Sequence, residues 1–344
     1  MSNFSFTINS HDVQQIFILG FLGFVVSMIL TPLYTTMAFR GQWWKRARTT
    51  TVTGEAATVY AKLHAAKHQR NIPTMAGMIF VVAALLVTLF DNLSRDGTWL
   101  PIAAMVGAGL IGLFDDIINI HSIKGGIAGM RAKVKSLLLL TIALIGGWWF
   151  YSKLGVTHVD IPFWHAIHIG WLIIPLFMLV IYSTANAVNI TDGLDGLAGG
   201  LSAIAFGAYA VIALLEKRYG VSGFCMTVAG SLLSYTWFNI YPARFFMGDV
   251  GSFALGTALG VVAMLTNTVL ILPVIGIVFV VEIGSVAIQL LSKKFRGKKI
   301  FLSSPIHHHF EAIGWPETKV TMRFWVLGQI AAFLGIIIYI LGSK

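Results

Sequence analysis

The sequence has little charge and almost no cysteine. Only 11% of its 344 residues are Asp, Glu, Lys or Arg, against about 25% in soluble domains, and the mean hydropathy is +0.81. Together these values exclude an ordinary soluble globular protein. The single cysteine, Cys225, excludes an internal disulfide framework. Because Cys225 lies in an apolar run, we expect it to be a buried packing residue.

The N-terminal segment lacks basic residues, since no Lys or Arg precedes Arg40. Cleaved secretory signals begin with a basic region, so we expect residues 14–38 to be a retained membrane helix. The formal net charge of +10 and the pI of about 9.7 are also found in nucleic-acid-binding proteins. In a chain this apolar, however, basic residues usually set the membrane topology, and we expect no nucleic-acid partner.

Long apolar runs recur along the whole chain, and a spanning helix needs about 20 mostly apolar residues. We therefore predict an all-α polytopic integral membrane protein with about ten transmembrane helices. Nine or eleven are also compatible, because short turns containing Gly or Pro join several runs. The predicted spans are 14–38, 72–91, 98–115, 134–151, 169–186, 197–215, 222–240, 251–267, 270–291 and 320–341.

Basic residues are distributed unequally about these spans. On the predicted topology, 19 of the 24 Lys and Arg residues lie on one side. The positive-inside bias makes that side cytoplasmic and places both termini on the extracytoplasmic side. The other side holds Arg95, Lys153, Lys217, Arg218 and Lys344.

Five aspartates fall at the cytoplasmic ends of spans, in three different loops: Asp115, Asp116, Asp192, Asp195 and Asp249. Any one of them could be a solvated helix end, but charged groups near a bilayer are costly and tend to mark function. The adjacent Asp115 and Asp116 would repel each other unless a cation neutralises them. Magnesium, which prefers oxygen ligands and keeps substrate phosphates in its shell, would do so.

A second motif, WFNIYPARFFMGDVGSFALG, covers residues 237–256 and contains Asp249 between two glycines. Glycine allows a backbone to approach a ligand closely, so Asn239 and Asp249 are predicted to reach a metal-bound diphosphate. Phe245 and Phe246 are candidates to stack on a base. Their alternative role is to anchor the chain at the membrane interface.

A third motif, NAVNITDGLDGLAGG, covers residues 186–200. Its polar residues Asn186, Asn189, Asp192 and Asp195 recur every third position and would share a face of a helix. The glycines argue against a continuous helix, and we predict a loop that runs into a helix N-terminus. There, Asn and Asp side chains can accept hydrogen bonds from a nucleoside or cap the helix.

A fourth motif, SSPIHHHFEAIGW, contains His307, His308 and His309. Successive side chains diverge, whereas zinc sites space their histidines along one face, so contact with phosphate is the better interpretation. A basic run at 293–299 precedes the motif and could bind phosphate, set topology or face lipid. Glu282 lies inside a predicted span and either belongs to a site or bonds to a neighbouring helix.

Together, HQRNIPTMAG (68–77), NAVNITDGLDGLAGG, FMGDVGS and SPIHHHFEAIGWPE resemble the motifs of the polyprenyl-phosphate N-acetylhexosamine-1-phosphate transferases, over almost the whole chain. SPIHHHFE is similar to the muramoyl branch of that superfamily rather than to its GlcNAc-phosphate branch. The resemblance implies a single transmembrane catalytic domain over 1–344, ten helices and both termini outside. It also implies an active site on the cytoplasmic face of the bacterial inner membrane, and suggests a homodimer.

The reaction that this resemblance implies joins UDP-MurNAc-pentapeptide to undecaprenyl phosphate, giving lipid I and UMP, with Mg²⁺ as cofactor. By motif position, Asp115 would deprotonate the lipid phosphate, Asp116 would lie beside it at the diphosphate, and Asp249 would ligate magnesium. The histidine triplet would be catalytic, and substrate would contact Thr74, Asn189, Asp192, Asp195, Asn239 and Phe246.

The sequence departs from the family pattern at three places. Ala76 replaces a glycine of the family motif around Thr74, and the role of Arg70 is open. An apparent small insertion after the aspartate pair leaves either Lys133 or Lys135 as the family's substrate-binding lysine.

Three other functions compete with this interpretation. Transfer of GlcNAc-1-phosphate to a lipid carrier belongs to the same superfamily. A transporter for an anionic metabolite would carry polar breaks in mid-span, whereas the aspartates here gather at one face. A structural membrane scaffold would need none of these motifs.

Overall fold

The computed structural model describes residues 9–44, 71–95, 97–121 and 129–342, and these are almost entirely helical. Two basic residues discussed above, Arg70 and Lys344, lie outside that part. In chain order the helices are α1 (Ser10–Arg40), α2 (Gly77–Asp91), α3 (Trp99–His121), α4 (Ala132–Ser152), α5 (Ile173–Thr191), α6 (Leu197–Leu215), α7 (Tyr219–Asn239), α8 (Gly248–Leu265), α9 (Leu272–Ile275), α10 (Ile277–Arg296), α11 (Ile306–Ala312) and α12 (Glu317–Gly342). A 3₁₀ turn at Gly170–Leu172 leads into α5.

Seven of the described helices are long and apolar enough to cross a membrane, namely α1, α3, α4, α5 with its preceding turn, α6, α8 and α12. The protein is therefore a multi-pass, all-α membrane protein. Three predicted spans correspond to helices outside this set. Helix α2 has 15 residues, α10 ends in a basic turn, and α7 is rich in Gly, Ser and Thr. The count of ten stays a prediction.

The structure corrects several predicted boundaries. Helix α3 continues to His121 because isoleucines follow the aspartate pair, so Asp115 and Asp116 lie inside the helix rather than at its end. Helix α5 continues to Thr191, since the first glycine of its motif is Gly193, and the predicted loop shrinks to residues 192–196. The predicted span 270–291 is broken at Gly276.

The one sheet among the described residues is a small β-hairpin. Strand β1 (His158–Val159) pairs antiparallel with β2 (Ile167–His168), with His158 opposite His168. The hairpin connects α4 to α5 and lies beside the C-terminus of α12, where Phe163 N donates to Gly342 O at 3.2 Å. We call this end of the molecule the hairpin end.

Helix α8 is the centre of the structure, because all 18 of its residues are buried. It packs against α2, α3, α5 and α6, and its many Gly and Ala residues let neighbouring backbones approach closely, as is usual between membrane helices. At Gly112 of α3, an added Cβ would lie 2.2 Å from the carbonyl oxygen of Asp249. This contact sets the aspartate-bearing end of α3 against the N-terminus of α8.

The helices alternate in direction, so the predicted site residues meet at one end. The ends of α3, α5 and α7 and the starts of α2, α4, α6, α8 and α12 all lie there. We call it the acidic end, defined by Asp115, Asp116 and Asp249. Cys225, in the middle of α7, is buried as predicted.

Candidate active site

Two carboxylates of the acidic end converge on one lysine. The Lys135 Nζ atom lies 3.0 Å from Asp115 Oδ2 and 3.1 Å from Asp249 Oδ2. Asp115 is 1% exposed and Asp249 7% exposed, so both charges are largely removed from water. Buried charges of this kind need a partner, and Lys135 supplies it to both aspartates at once.

The backbone completes the surroundings of the adjacent aspartates. Met130 N donates to Asp115 Oδ1 at 2.5 Å, and Val250 N donates to Asp116 Oδ2 at 3.1 Å. Val250 is in the first turn of α8, whose free N–H groups favour an anion. Asp116 is therefore held at the start of the central helix.

Gly248 is required at that start. Its φ is +75°, and an added Cβ would lie 2.4 Å from Asp116 Oδ2 and 2.9 Å from Thr74 Oγ1. A side chain would be disfavoured by both the backbone conformation and the space. The Gly-Asp sequence of the motif thus brings Thr74 and Asp116 together around the α8 N-terminus.

Asn189 joins α5 to the same centre. Its Nδ2 donates to Ser252 Oγ at 2.8 Å and lies 3.3 Å from Asp249 Oδ1. Sequence reasoning missed Ser252, although its spacing three residues after Asp249 on a helix is a usable signal. Asn189 is thus brought into the aspartate–lysine cluster.

The turn at 192–196 is braced by its neighbours. Asp195 Oδ2 accepts from Ala243 N at 2.9 Å. Asn239 Oδ1 accepts from Gly196 N at 3.0 Å, and its Nδ2 donates to Phe245 O at 2.8 Å. Both ends of the Asn239 amide thus bond to backbone and hold this turn in place. Asp195 has the same bracing function, while Asp192 is half-buried at the end of α5.

Helix α12 braces the turn from the other side. Glu317 Oε1 accepts from Asp195 N at 2.6 Å, Thr321 Oγ1 donates to Asp195 O at 3.3 Å, and Trp325 Nε1 donates to Gly196 O at 3.2 Å. These three residues recur every fourth position and so share one helix face. Sequence reasoning missed them, because their spacing alone does not identify their partner.

The two phenylalanines of the second motif, Phe245 and Phe246, have different surroundings. Phe245 is fully buried and packs against Tyr34 and Tyr235. Phe246 is half-buried, and its backbone N donates to Pro73 O at 2.7 Å. Of the two, Phe246 is the ring that a base could reach.

The three histidines point to different partners. His307 Nδ1 lies 2.8 Å from Glu282 Oε2, with both side chains fully buried. His308 Nδ1 lies 2.7 Å from Glu311 Oε2, and His309 Nδ1 accepts from Leu302 N at 3.3 Å. Glu282, which sequence reasoning left unassigned, is thus the partner of His307.

The two candidate lysines differ in their contacts. Lys135 contacts Asp115 and Asp249, whereas Lys133 is exposed on the same helix. Positions two apart on a helix face in different directions, so only one of them can meet the aspartates.

A magnesium ion fits the donors of this centre. In the described part of the chain no three His, Cys, Asp or Glu side chains are arranged to hold a metal. Magnesium, however, is usually held by one or two carboxylates together with substrate phosphates. The Asp249 and Asp115 carboxylates already converge on a cation, the Lys135 ammonium, and offer the oxygen ligands that magnesium prefers.

Several known proteins are similar to this chain along most of its length. Residues 98–267 match the family model of glycosyl transferase family 4. The phospho-N-acetylmuramoyl-pentapeptide-transferase of Bacillus mycoides is 38% identical over 335 residues, which cover 94% of this chain and 98% of the relative. The Chloroflexus aurantiacus protein of that name is 37% identical over 339 residues (94% and 89%), and that of Caldanaerobacter subterraneus is 42% identical over 265 residues (76% and 82%). The chain belongs to the phospho-N-acetylmuramoyl-pentapeptide-transferase family.

Proposed function

We propose that this protein transfers phospho-MurNAc-pentapeptide from UDP-MurNAc-pentapeptide to undecaprenyl phosphate, giving lipid I and UMP in peptidoglycan synthesis. The similarity to transferases along nearly the whole chain supports this reaction. The observation that carries it is the buried centre in which Asp115 and Asp249 share Lys135. Such a centre can hold and align two anionic substrates, which is what phosphoryl transfer mainly requires.

In the proposed step, an oxygen of the lipid phosphate forms a bond to the sugar-bearing phosphorus of the nucleotide substrate. The bond from that phosphorus to the bridging oxygen breaks, and UMP leaves with this oxygen. Asp115 accepts the proton if the lipid phosphate carries one. Lys135 offsets the repulsion between the two phosphates, and Asp116 is held beside them by the α8 N-terminus.

Magnesium would be held by Asp249, with Asn189 keeping that carboxylate in place. When bound, the ion neutralises charge that develops on the diphosphate. The convergence of Asp115 and Asp249 on one cation supports this assignment.

The nucleotide is proposed to bind at the turn 192–196 and the neighbouring Phe246. The turn is braced on two sides through Asp195, and Asp192 is half-buried at its start. Phe246 is half-buried and can stack on the base. Thr74 lies against the same α8 N-terminus and would contact the diphosphate.

The lipid substrate has an apolar groove available. A cavity of about 270 Å³ lies between α5 and α10 and is lined by residues such as Leu179, Ala187, Leu259, Phe279 and Ile283. Ala187 is two residues from Asn189, so the groove approaches the aspartate centre along α5. A polyprenyl chain there would place its phosphate near Asp115.

The ten-span topology, with both termini outside and the site facing the cytoplasm of the bacterial inner membrane, is part of this proposal. The distribution of Lys and Arg supports it. Single cysteines introduced at Arg244 and Lys153 test it in intact cells, because Cys225 is buried. A membrane-impermeant thiol reagent is expected to label Lys153→Cys but not Arg244→Cys. Crosslinking in membranes would test the homodimer.

The function is tested by a transfer assay on the protein purified in detergent. UDP-MurNAc-pentapeptide and undecaprenyl phosphate are supplied with and without magnesium, while UMP and lipid I are measured. Magnesium-dependent formation of both is expected. Product from UDP-GlcNAc, and none from the muramoyl substrate, would instead assign GlcNAc-1-phosphate transfer.

A further inference from the structure

Glu282 and His307 form a buried pair that is satisfied on one side only. Their side chains are fully buried, and His307 Nδ1 lies 2.8 Å from Glu282 Oε2. The second nitrogen of the ring, Nε2, is also buried and has no hydrogen-bond partner among the described residues. Buried polar groups are nearly always bonded, so this nitrogen requires an explanation.

The position of Nε2 points to the proposed nucleotide site. A Cβ added to Gly193 would lie 2.3 Å from His307 Nε2 and 2.8 Å from its Cε1. Gly193 belongs to the turn 192–196, which is braced from α7 and α12. Only a glycine at this position leaves Nε2 in contact with the turn.

The burial of the pair indicates what Nε2 can bind. Two proton arrangements leave the pair without net charge: a carboxylate beside an imidazolium, and a carboxylic acid beside a neutral imidazole. In both, one proton lies between Glu282 and Nδ1 and the second lies on Nε2. When the pair carries both protons, Nε2 is an N–H donor for which the described residues offer no acceptor.

We propose that Glu282 is a positioning residue, which directs the Nε2–H of His307 at a phosphate oxygen of a bound substrate beside Gly193. This inference rests on the proposed function for the identity of the substrate. An anionic oxygen is the acceptor that best matches such a donor. Both substrates carry phosphates, and the turn at Gly193 favours the diphosphate of the nucleotide.

The other histidines of the triplet do not share this arrangement. His308 is paired with Glu311 one turn along the same helix, and His309 is bonded to the backbone of Leu302. Only His307 combines a carboxylate from another helix with a free nitrogen at the turn. The triplet thus has one member oriented toward the proposed site.

The test is a double-mutant cycle on the binding of UDP, measured by calorimetry on the detergent-purified protein. Glu282→Ala and His307→Ala are each expected to weaken UDP binding by about tenfold, the typical loss of a hydrogen bond to a charged group. The double variant is expected to be no weaker than either single one, because both changes remove one contact. Glu282→Gln is expected to retain part of the affinity, since an amide can still bond Nδ1.

Ser285→Ala is the matched control, because Ser285 is also a buried polar residue of α10 and bonds only to Glu282 O. It is expected to bind UDP like the wild type. Thermal midpoints identify variants that fail to fold, and the cycle is then made with Glu282→Gln and His307→Gln. Uridine, which lacks phosphate, is expected to bind all folded variants equally.

The KM for undecaprenyl phosphate is measured in parallel. A coupled loss of UDP affinity assigns the contact to the nucleotide, whereas a coupled rise in that KM alone assigns it to the lipid phosphate. Additive losses, or unchanged values in both measurements, would overturn the proposal, as would an equal loss for uridine. If the variants show coupled losses of UDP affinity but the wild-type protein has no transfer activity, the proposed function alone would be overturned.

Discussion

The acidic end and the hairpin end both gather acidic and basic side chains, but they hold them differently. At the acidic end, Asp115 and Asp249 are nearly fully buried and share one lysine. At the hairpin end, Arg218 pairs with Glu216 at 3.1 Å, and the Arg218 side chain is 48% exposed. Asp160, 60% exposed, lies 3.9 Å from His158. Exposed pairs of that kind contribute little energy.

Cavity volume alone would place the candidate site at the hairpin end. The cavity at the hairpin end measures about 660 Å³, more than twice the apolar groove near the acidic end at about 270 Å³. What distinguishes the acidic end is convergence, because side chains from α3, α4, α5 and α8 meet within hydrogen-bonding distance. Burial and shared partners therefore identify the chemical centre better than open volume does.

The largest effect is expected from the carboxylates themselves. Asp115→Asn removes the proposed proton acceptor and should lower kcat by about 1,000-fold while UDP binding persists. Asp249→Asn should also abolish transfer and change the magnesium dependence of the residual activity. UMP release measures the transfer activity of the two variants, and calorimetry measures their UDP binding.

The matched change at the hairpin end is Asp160→Asn, which should leave transfer within about twofold of the wild type because exposed charges there contact no substrate. Near-normal turnover of Asp115→Asn would remove it as the base. An unchanged magnesium response of Asp249→Asn would remove it from the metal site.

A smaller but still large effect is expected from the shared lysine. Lys135→Ala leaves two buried carboxylates without their cation, and transfer should fall by about 100-fold with a loss of roughly 3 kcal/mol in stability. Lys133→Ala, on the exposed side of the same helix, should cost at least tenfold less activity. The two variants are compared by kcat and by thermal midpoint. Equal losses would mean that the contacts of Lys135 do not matter for transfer.

The next largest effect is expected at the contact between α3 and α8, where Gly112 lies against the backbone of Asp249. Gly112→Ala places a methyl group 2.2 Å from Asp249 O, and separating α3 from α8 should cost about 1–3 kcal/mol. Gly207→Ala on α6 is the control, since an added Cβ there meets nothing within 4 Å. A thermal midpoint of Gly112→Ala equal to that of Gly207→Ala would show that α3 and α8 can move apart freely.

Much of this architecture could be predicted because each membrane span corresponds to one continuous apolar stretch of sequence. The helical fold and the grouping of the aspartates at one end follow from apolar runs and their order. The boundaries were less accurate near the site, where α3 and α5 run several residues further than expected. A polar residue such as Asp115 or Asn189 can lie inside a helix, so a change from apolar to polar residues does not mark the helix end.

Pairings between distant helices could not be predicted in the same way. The bond of Glu282 to His307 joins residues 25 apart, and Glu317 reaches Asp195 across 122 positions. A motif shows that a residue type is present, but it does not show which group that residue will hydrogen-bond. Asn239 illustrates this limit, since its motif predicts a polar residue near the substrate but not the bond of its amide to Gly196.

The smallest effect concerns Glu216 at the hairpin end. Burial raises the pKa of Glu216 from 4.5 to about 7, although the nearby Arg218 and a hydrogen bond from Tyr339 lower it in part. The folded protein thus keeps a proton that the unfolded chain releases at lower pH. This stabilising contribution is complete below pH 4.5 and is lost as the pH rises through 7.

Glu216→Gln keeps the shape but removes the titration, so its thermal midpoint should fall less than that of the wild type between pH 5 and pH 8. The difference corresponds to about 1–3 kcal/mol, and transfer at pH 7 should be unchanged. Asp91→Asn, an exposed carboxylate at the same end, should follow the wild type at both pH values. If Glu216→Gln also follows the wild type, the buried carboxylate is compensated by Arg218 at all pH values. The two ends would then differ less in how they hold charge than their burial indicates.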